Sequence, residues 1–277
     1  MLESLNRFVA AWLATIRAMI LPAVVGPFAA LALLQGLVLW FLVAAPSPAL
    51  GGWPIEVLRA WFGPAAGHYP AHYALMPFMF FRIVIVLYGV IGIVVYGTAT
   101  GAFAGRIAGT GTGPRGFVGT AVGRYVPMFV IWLVTTAVVL FGISRLPDLF
   151  ANWAFGSPRR EVFIDILTRI MVIAFMSLWA YTTVALIVER ASLFGAVTVS
   201  VRRCFRRPFA TFFLLGLPYL LTVPFSLIAT RSEYLVRQFR PETIAIALVL
   251  LIISQFVANI LTCGSVTHYY LAEPARE

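Results

Sequence analysis

Ala191–Phe213 reads ASLFGAVTVSVRRCFRRPFATFF. It begins as a basic amphipathic segment and runs through Arg206, Arg207 and Pro208 straight into apolar sequence. At 100° per residue, Leu193, Phe194, Val197, Val201, Cys204 and Phe205 fall on one side. Arg202, Arg203 and Arg206 fall on the other. Such a helix is expected to lie flat in a membrane interface, with its guanidinium groups, and that of Arg207 at its end, among anionic headgroups.

Two other places repeat the design. Arg17 precedes Pro22, and Arg124 precedes Pro127, just as Arg207 precedes Pro208. Each proline opens a long apolar run, and a proline at the first helical turn costs no hydrogen bond. The pattern predicts an all-α polytopic membrane bundle of about six transmembrane helices and three amphipathic interfacial helices. The expected spans are 22–44, 73–106, 126–144, 162–188, 209–229 and 243–266. The chain then divides into three copies of one unit (interfacial helix, span, outer loop, span) within a single membrane domain 1–277, at 1–105, 106–190 and 191–277.

Composition agrees with this reading. Of 277 residues, 61% are hydrophobic and 11% charged, too few charges to cover a soluble core. Apolar runs of about 20 residues suit helices crossing a hydrocarbon layer, not barrel strands of about 10. All 20 basic residues are Arg and the net charge is +10. Because all but two of the arginines sit at span ends or in loops, membrane topology explains them, and anionic phospholipid is the expected partner, with no nucleic acid. With both termini on one side, that side collects eleven arginines: Arg7, Arg17, Arg106, Arg115, Arg124, Arg190, Arg202, Arg203, Arg206, Arg207 and Arg276. The other side mixes Arg59, Arg145, Arg159, Arg160, Arg231, Arg237 and Arg240 with Glu56, Asp148, Glu161, Glu233 and Glu242. Both termini are therefore expected in the cytoplasm, in a bacterial inner membrane.

Motif matches in the chain lack the context their chemistry needs. Gly111–Gly116 matches GxGxxG, but no strand precedes it and no acidic residue follows at the needed distance. His68 and His72 have metal-pair spacing, but Pro70 lies between them. Cys204 and Cys263 fall at different expected depths and have no CxxC company. No HExxH, GxSxG or acidic pair facing a histidine occurs, so no catalytic, metal or cofactor-binding residue is assigned.

Three charges fall inside expected spans: Arg82, Asp165 and Arg169. Arg82 lies 24 positions before Arg106, and Asp165 lies 24 before Glu189. At helical rise both sit about 36 Å from the inner boundary, at the outer interface. One reading has Arg82 and Arg169 holding a phosphate or carboxylate headgroup between spans two and four, with Asp165 orienting them. The other is a structural ion pair plus a snorkelling arginine. Gly97, Gly101 and Gly105 recur every fourth residue and strip one face of span two, a seam for helix packing. Gln35, Gln255 and Asn259 read as interhelical hydrogen-bonding groups.

Val188-Glu189-Arg190, Gly195-Ala196-Val197, Ser200, Arg203 and Arg207-Pro208-Phe209 resemble the recurring segment of the glycerophosphodiesterase membrane-domain family and of related six-span bacterial inner-membrane proteins. The resemblance implies an envelope protein that works with other proteins or domains. The soluble phosphodiesterase barrel of some relatives has no counterpart in this sequence. The expected function is a non-enzymatic membrane subunit or scaffold, associated with another membrane protein or with copies of itself. A transporter or lipid-handling permease is the alternative.

Overall fold

The computed structural model describes residues 2–47, 52–109, 114–150, 153 and 157–272. Among them there are helices and no strands. The glycine-rich match at Gly111–Gly113 and the terminal Arg276 lie outside the described residues.

Helix α1 spans Leu2–Ala18 and α2 spans Pro22–Ala44. The short α3, Trp53–Phe62, is bounded by Gly52 and Gly63 at φ 79 and 88, a backbone region that glycine enters without strain. A 3-10 turn at Pro64–Gly67 leads to α4, Ala71–Leu87. One π-helical turn, Tyr88–Gly92, joins α4 to α5, Ile93–Ile107. Then come α6 (Pro114–Gly123), α7 (Tyr125–Leu149), α8 (Pro158–Trp179) and α9 (Thr182–Ile187). The chain ends with α10 (Leu193–Arg206), α11 (Pro208–Thr230), α12 (Ser232–Gln238) and α13 (Thr243–Ala272).

Six helical stretches are long and apolar enough to cross a bilayer: Pro22–Ala44, Ala71–Ile107, Tyr125–Leu149, Arg159–Ile187, Pro208–Thr230 and Thr243–Ala272. The chain is an all-α, multi-pass integral membrane protein. The short helices α1, α6 and α10 each end within a few residues of the start of such a stretch. Proline starts α2, α6, α8 and α11, where its missing N–H removes no bond.

Two compact units emerge. The first comprises Met1–Val24, Ile93–Leu217 and Leu261–Glu277. Its core holds Tyr181, Leu186, Leu214 and Tyr270, with Phe8, Trp12 and Trp179 packed against it. The second comprises Val25–Gly92 and Pro218–Ile260, around Leu42, Met76, Met79, Phe80, Ile244 and Leu248.

The inward face of α1 is made of small side chains. Ala11, Thr15 and Ala18 are buried, whereas Leu5, Val9, Leu13 and Ile16 point outward. Small side chains admit close packing of the helix, and the larger apolar ones are left for the surroundings.

Candidate functional site

The basic segment is held against the first unit by polar bonds that begin where the fourth span ends. After α9 the chain turns through Val188-Glu189-Arg190, with Arg190 at φ 53. Arg124 fixes the turn, donating to the carbonyls of Arg190 at 2.9 Å and Ala191 at 3.3 Å. Ser192 then caps α10, its hydroxyl accepting the Gly195 N–H at 3.2 Å.

Helix α10 turns Ala196, Ser200 and Cys204 inward. Ser200 repairs a break in the fourth span, where α8 stops at Trp179 and α9 starts at Thr182. Its hydroxyl donates to the Leu178 carbonyl at 2.7 Å and accepts the Tyr181 N–H at 3.1 Å. Both groups belong to helix ends that lack a full complement of intrahelical partners.

One turn further on, Arg203 meets Tyr270 of α13 in two ways. The guanidinium donates to the Tyr270 carbonyl at 2.7 Å, and its Cζ lies 3.5 Å from the ring centroid. The Tyr270 hydroxyl donates to the Glu189 carboxylate. Tyr181 packs on Tyr270 with ring centroids 5.8 Å apart and shares a 2.9 Å hydrogen bond with Thr211. A cation, a phenol and a carboxylate thus run in series from α10 through α13 to the end of the fourth span. The bonds lock three segments together, and each member is spoken for.

The outward face of α10 differs from the expected division. Cys204 and Arg203 belong to the packed side, while Phe194 (83% exposed), Phe205 (73%) and, at the start of α11, Phe209 (78%) point away. Exposed Arg202 and Arg206 flank that aromatic line. Arg207 is half-buried. Shape explains the change: Ala196, Ser200 and Cys204 are small enough for close approach, and the phenyl rings are not. The resulting surface offers two guanidinium groups beside three phenyl rings, the chemistry of a phosphate headgroup over acyl chain.

The glycine seam receives the short helix α6 and the start of α7. A Cβ on Gly97 would stand 2.9 Å from the Ala121 methyl group and 3.0 Å from Met128. One on Gly101 or Gly105 would stand 2.6 Å from the Phe117 ring.

Asp165 and Arg169 pair within one helix at 2.9 Å, side chains 49% and 19% exposed. Arg82, in the second unit, is exposed and stacks over Phe78 with Cζ 4.1 Å from the ring centroid. In that unit Gln35 donates to Gln255 at 3.3 Å and Asn259 donates to the Tyr88 hydroxyl at 2.8 Å, beside the π-helical turn. His72 is buried with both ring nitrogens against carbonyl oxygens, and His68 is exposed. Among the described residues no three His, Cys, Asp or Glu side chains gather as a metal site would require.

Tyr181, Thr211 and Tyr270 carry much of the lock, and sequence reasoning missed them. Tyr269-Tyr270 near the end of a span looks like an interfacial aromatic pair, and only the fold shows that Tyr270 is 2% exposed. The chain matches no protein-family model, no curated protein and no solved structure.

Proposed function

We propose that this chain is a non-enzymatic subunit or scaffold of a membrane complex whose third short helix, α10, grips anionic lipid. One observation carries the reading: the arginines of α10 are divided between two tasks. Arg203 is used inside, on Tyr270, whereas Arg202 and Arg206 stand outside beside Phe194, Phe205 and Phe209. The lock to α13 makes the surface rigid, so little ordering entropy opposes binding. Arginine suits phosphate because its planar fork donates two parallel bonds. The distribution of arginines supports a bacterial inner membrane with both termini in the cytoplasm. The succession of short and long helices supports three related units.

Native mass spectrometry of the protein released from nanodiscs tests this directly. Retention of phosphatidylglycerol over phosphatidylcholine, reduced severalfold in the R202Q/R206Q double variant, is the expected outcome. Equal retention by the wild type and the double variant would remove the lipid grip. The same spectra reveal any stoichiometric protein partner, and a lone chain would count against the scaffold.

A permease is the second reading. It draws on the Gln35, Tyr88, Gln255 and Asn259 cluster, which falls near the middle of three long helices. Solute flux in reconstituted vesicles, unchanged by N259A, would set it aside.

A further inference from the structure

His72 is 1% exposed, with Nδ1 2.6 Å from the Ala66 carbonyl oxygen and Nε2 2.7 Å from that of Leu42. Leu42 lies near the end of α2, and the residue four positions on is Pro46, which has no N–H to continue the helical ladder. Ala66 lies next to the end of the Pro64–Gly67 3-10 turn. The ring therefore sits between a carbonyl at the end of one helix and a carbonyl at the end of the turn. Carbonyl oxygen only accepts, so each contact needs a ring N–H. A neutral imidazole has one and an imidazolium has two.

We propose that His72 is a protonation-gated clamp on the second unit, joining the end of α2, the Pro64–Gly67 turn and the start of α4. With two ring protons it closes both bonds. Loss of one proton turns a ring lone pair toward a carbonyl lone pair and opens one arm. The clamp is thus complete when the ring is an imidazolium and loses one arm when the ring is neutral. His72 is the second residue of α4, and His68, Tyr69 and Pro70 just before it are exposed.

The surrounding charges do not replace that control. On its own segment the ring meets Tyr73 edge-on at 5.7 Å, and His68 and Tyr69 precede it. From α3 come Glu56 and Arg59, the latter lying over Gly67. Helix α12, which packs on α4, carries Glu233, Tyr234 and Arg237, all with exposed or half-exposed side chains. Glu242 acts on Tyr73 through its charge, and the end of α2 contributes no titratable group. Both ring nitrogens are taken by carbonyl oxygens, so no carboxylate stands in for either acceptor.

The test is 15N NMR of the ring-labelled full chain in nanodiscs, with the three histidines assigned through H68Q and H72Q. Expected are two protonated nitrogens on His72 near pH about 5 and one near pH about 8. Hydrogen exchange across residues 66–74, corrected for intrinsic rate, should rise about tenfold between those values in the wild type. It should show no such rise in H72Q. A ring in the same state at both pH values overturns the gate, and so does a rise that persists in H72Q. If H72Q fails to fold, H68Q and H268Q complete the assignment and the wild-type ring spectrum decides alone.

Discussion

Arg203 and Tyr270 meet at both ends of one residue: the guanidinium donates to the tyrosine carbonyl at 2.7 Å and lies 3.5 Å from its ring centroid. The carbonyl is near the end of α13, where helix carbonyls lack intrahelical donors and favour a cation. One arginine therefore caps one helix while belonging to another, and the phenol of the same tyrosine passes the connection on to Glu189.

Truncating Arg203 should be costly. R203A loses a charge-assisted hydrogen bond and a cation–π contact together, about 2–3 kcal/mol on typical values. R203K should recover part of it, because an ammonium can still donate to the carbonyl but stacks less well. Thermal unfolding in one detergent, compared across the three proteins, measures the order. Equal stability of R203A and wild type would show that the lock contributes nothing.

Tyr270→Phe separates the phenol from the ring. It keeps the stacking and removes only the bond to Glu189, so a loss of about 1–2 kcal/mol is expected. In a double-mutant cycle with Glu189→Gln the two changes should be less than additive, since both break the same bond.

Ser200→Ala leaves the Leu178 carbonyl and the Tyr181 N–H without their partner in a dry site. Unsatisfied buried groups cost about 1–3 kcal/mol, so this deletion of one oxygen should destabilise more than its volume suggests. Faster hydrogen exchange at residues 178–182 would locate the loss.

Gly101→Ala places a methyl group 2.6 Å from the Phe117 ring and 3.1 Å from its Cβ, so the whole side chain must move. Overpacking of this kind costs about 1–3 kcal/mol. Adding F117A should recover part of that loss; additivity of the two changes would deny the contact.

Burial pushes the Cys204 thiol up from its usual range. Its thiolate is therefore scarcer at neutral pH than that of a free cysteine, and alkylation by maleimide should be slow. Labelling should rise with pH and rise further in S200A if α10 loosens. Rapid neutral-pH labelling of the intact protein would contradict the packed position of this residue.

The membrane character and the helix starts were legible in the chain, because they rest on local properties. Twenty-residue apolar runs can satisfy their backbone in lipid only as helices, and prolines announce where several begin. The seam of Gly97, Gly101 and Gly105 was equally plain, since the absence of a side chain is visible in one dimension. Its occupant was not. A glycine face accepts any helix, and Phe117 was identified only by the fold.

The orientation of α10 shows where local reading stops. Angular spacing separates arginines from apolar residues, and it put Arg203 with Arg202 and Arg206. The fold rotates the helix so that Ala196, Ser200 and Cys204 pack inward, drawing Arg203 with them and turning Phe194 and Phe205 out. Hydrophobicity does not choose between the faces when lipid and protein interior are equally apolar. Close packing and the supply of hydrogen-bond partners decide instead. His72 makes the same point. The proline that deprives the Leu42 carbonyl of a helical donor is written in the sequence, but the 30 residues separating Leu42 from His72 leave their meeting to tertiary structure. The chain by itself determined that it lives in a membrane as helices; which polar groups find one another there was decided by the packing of segments far apart in sequence.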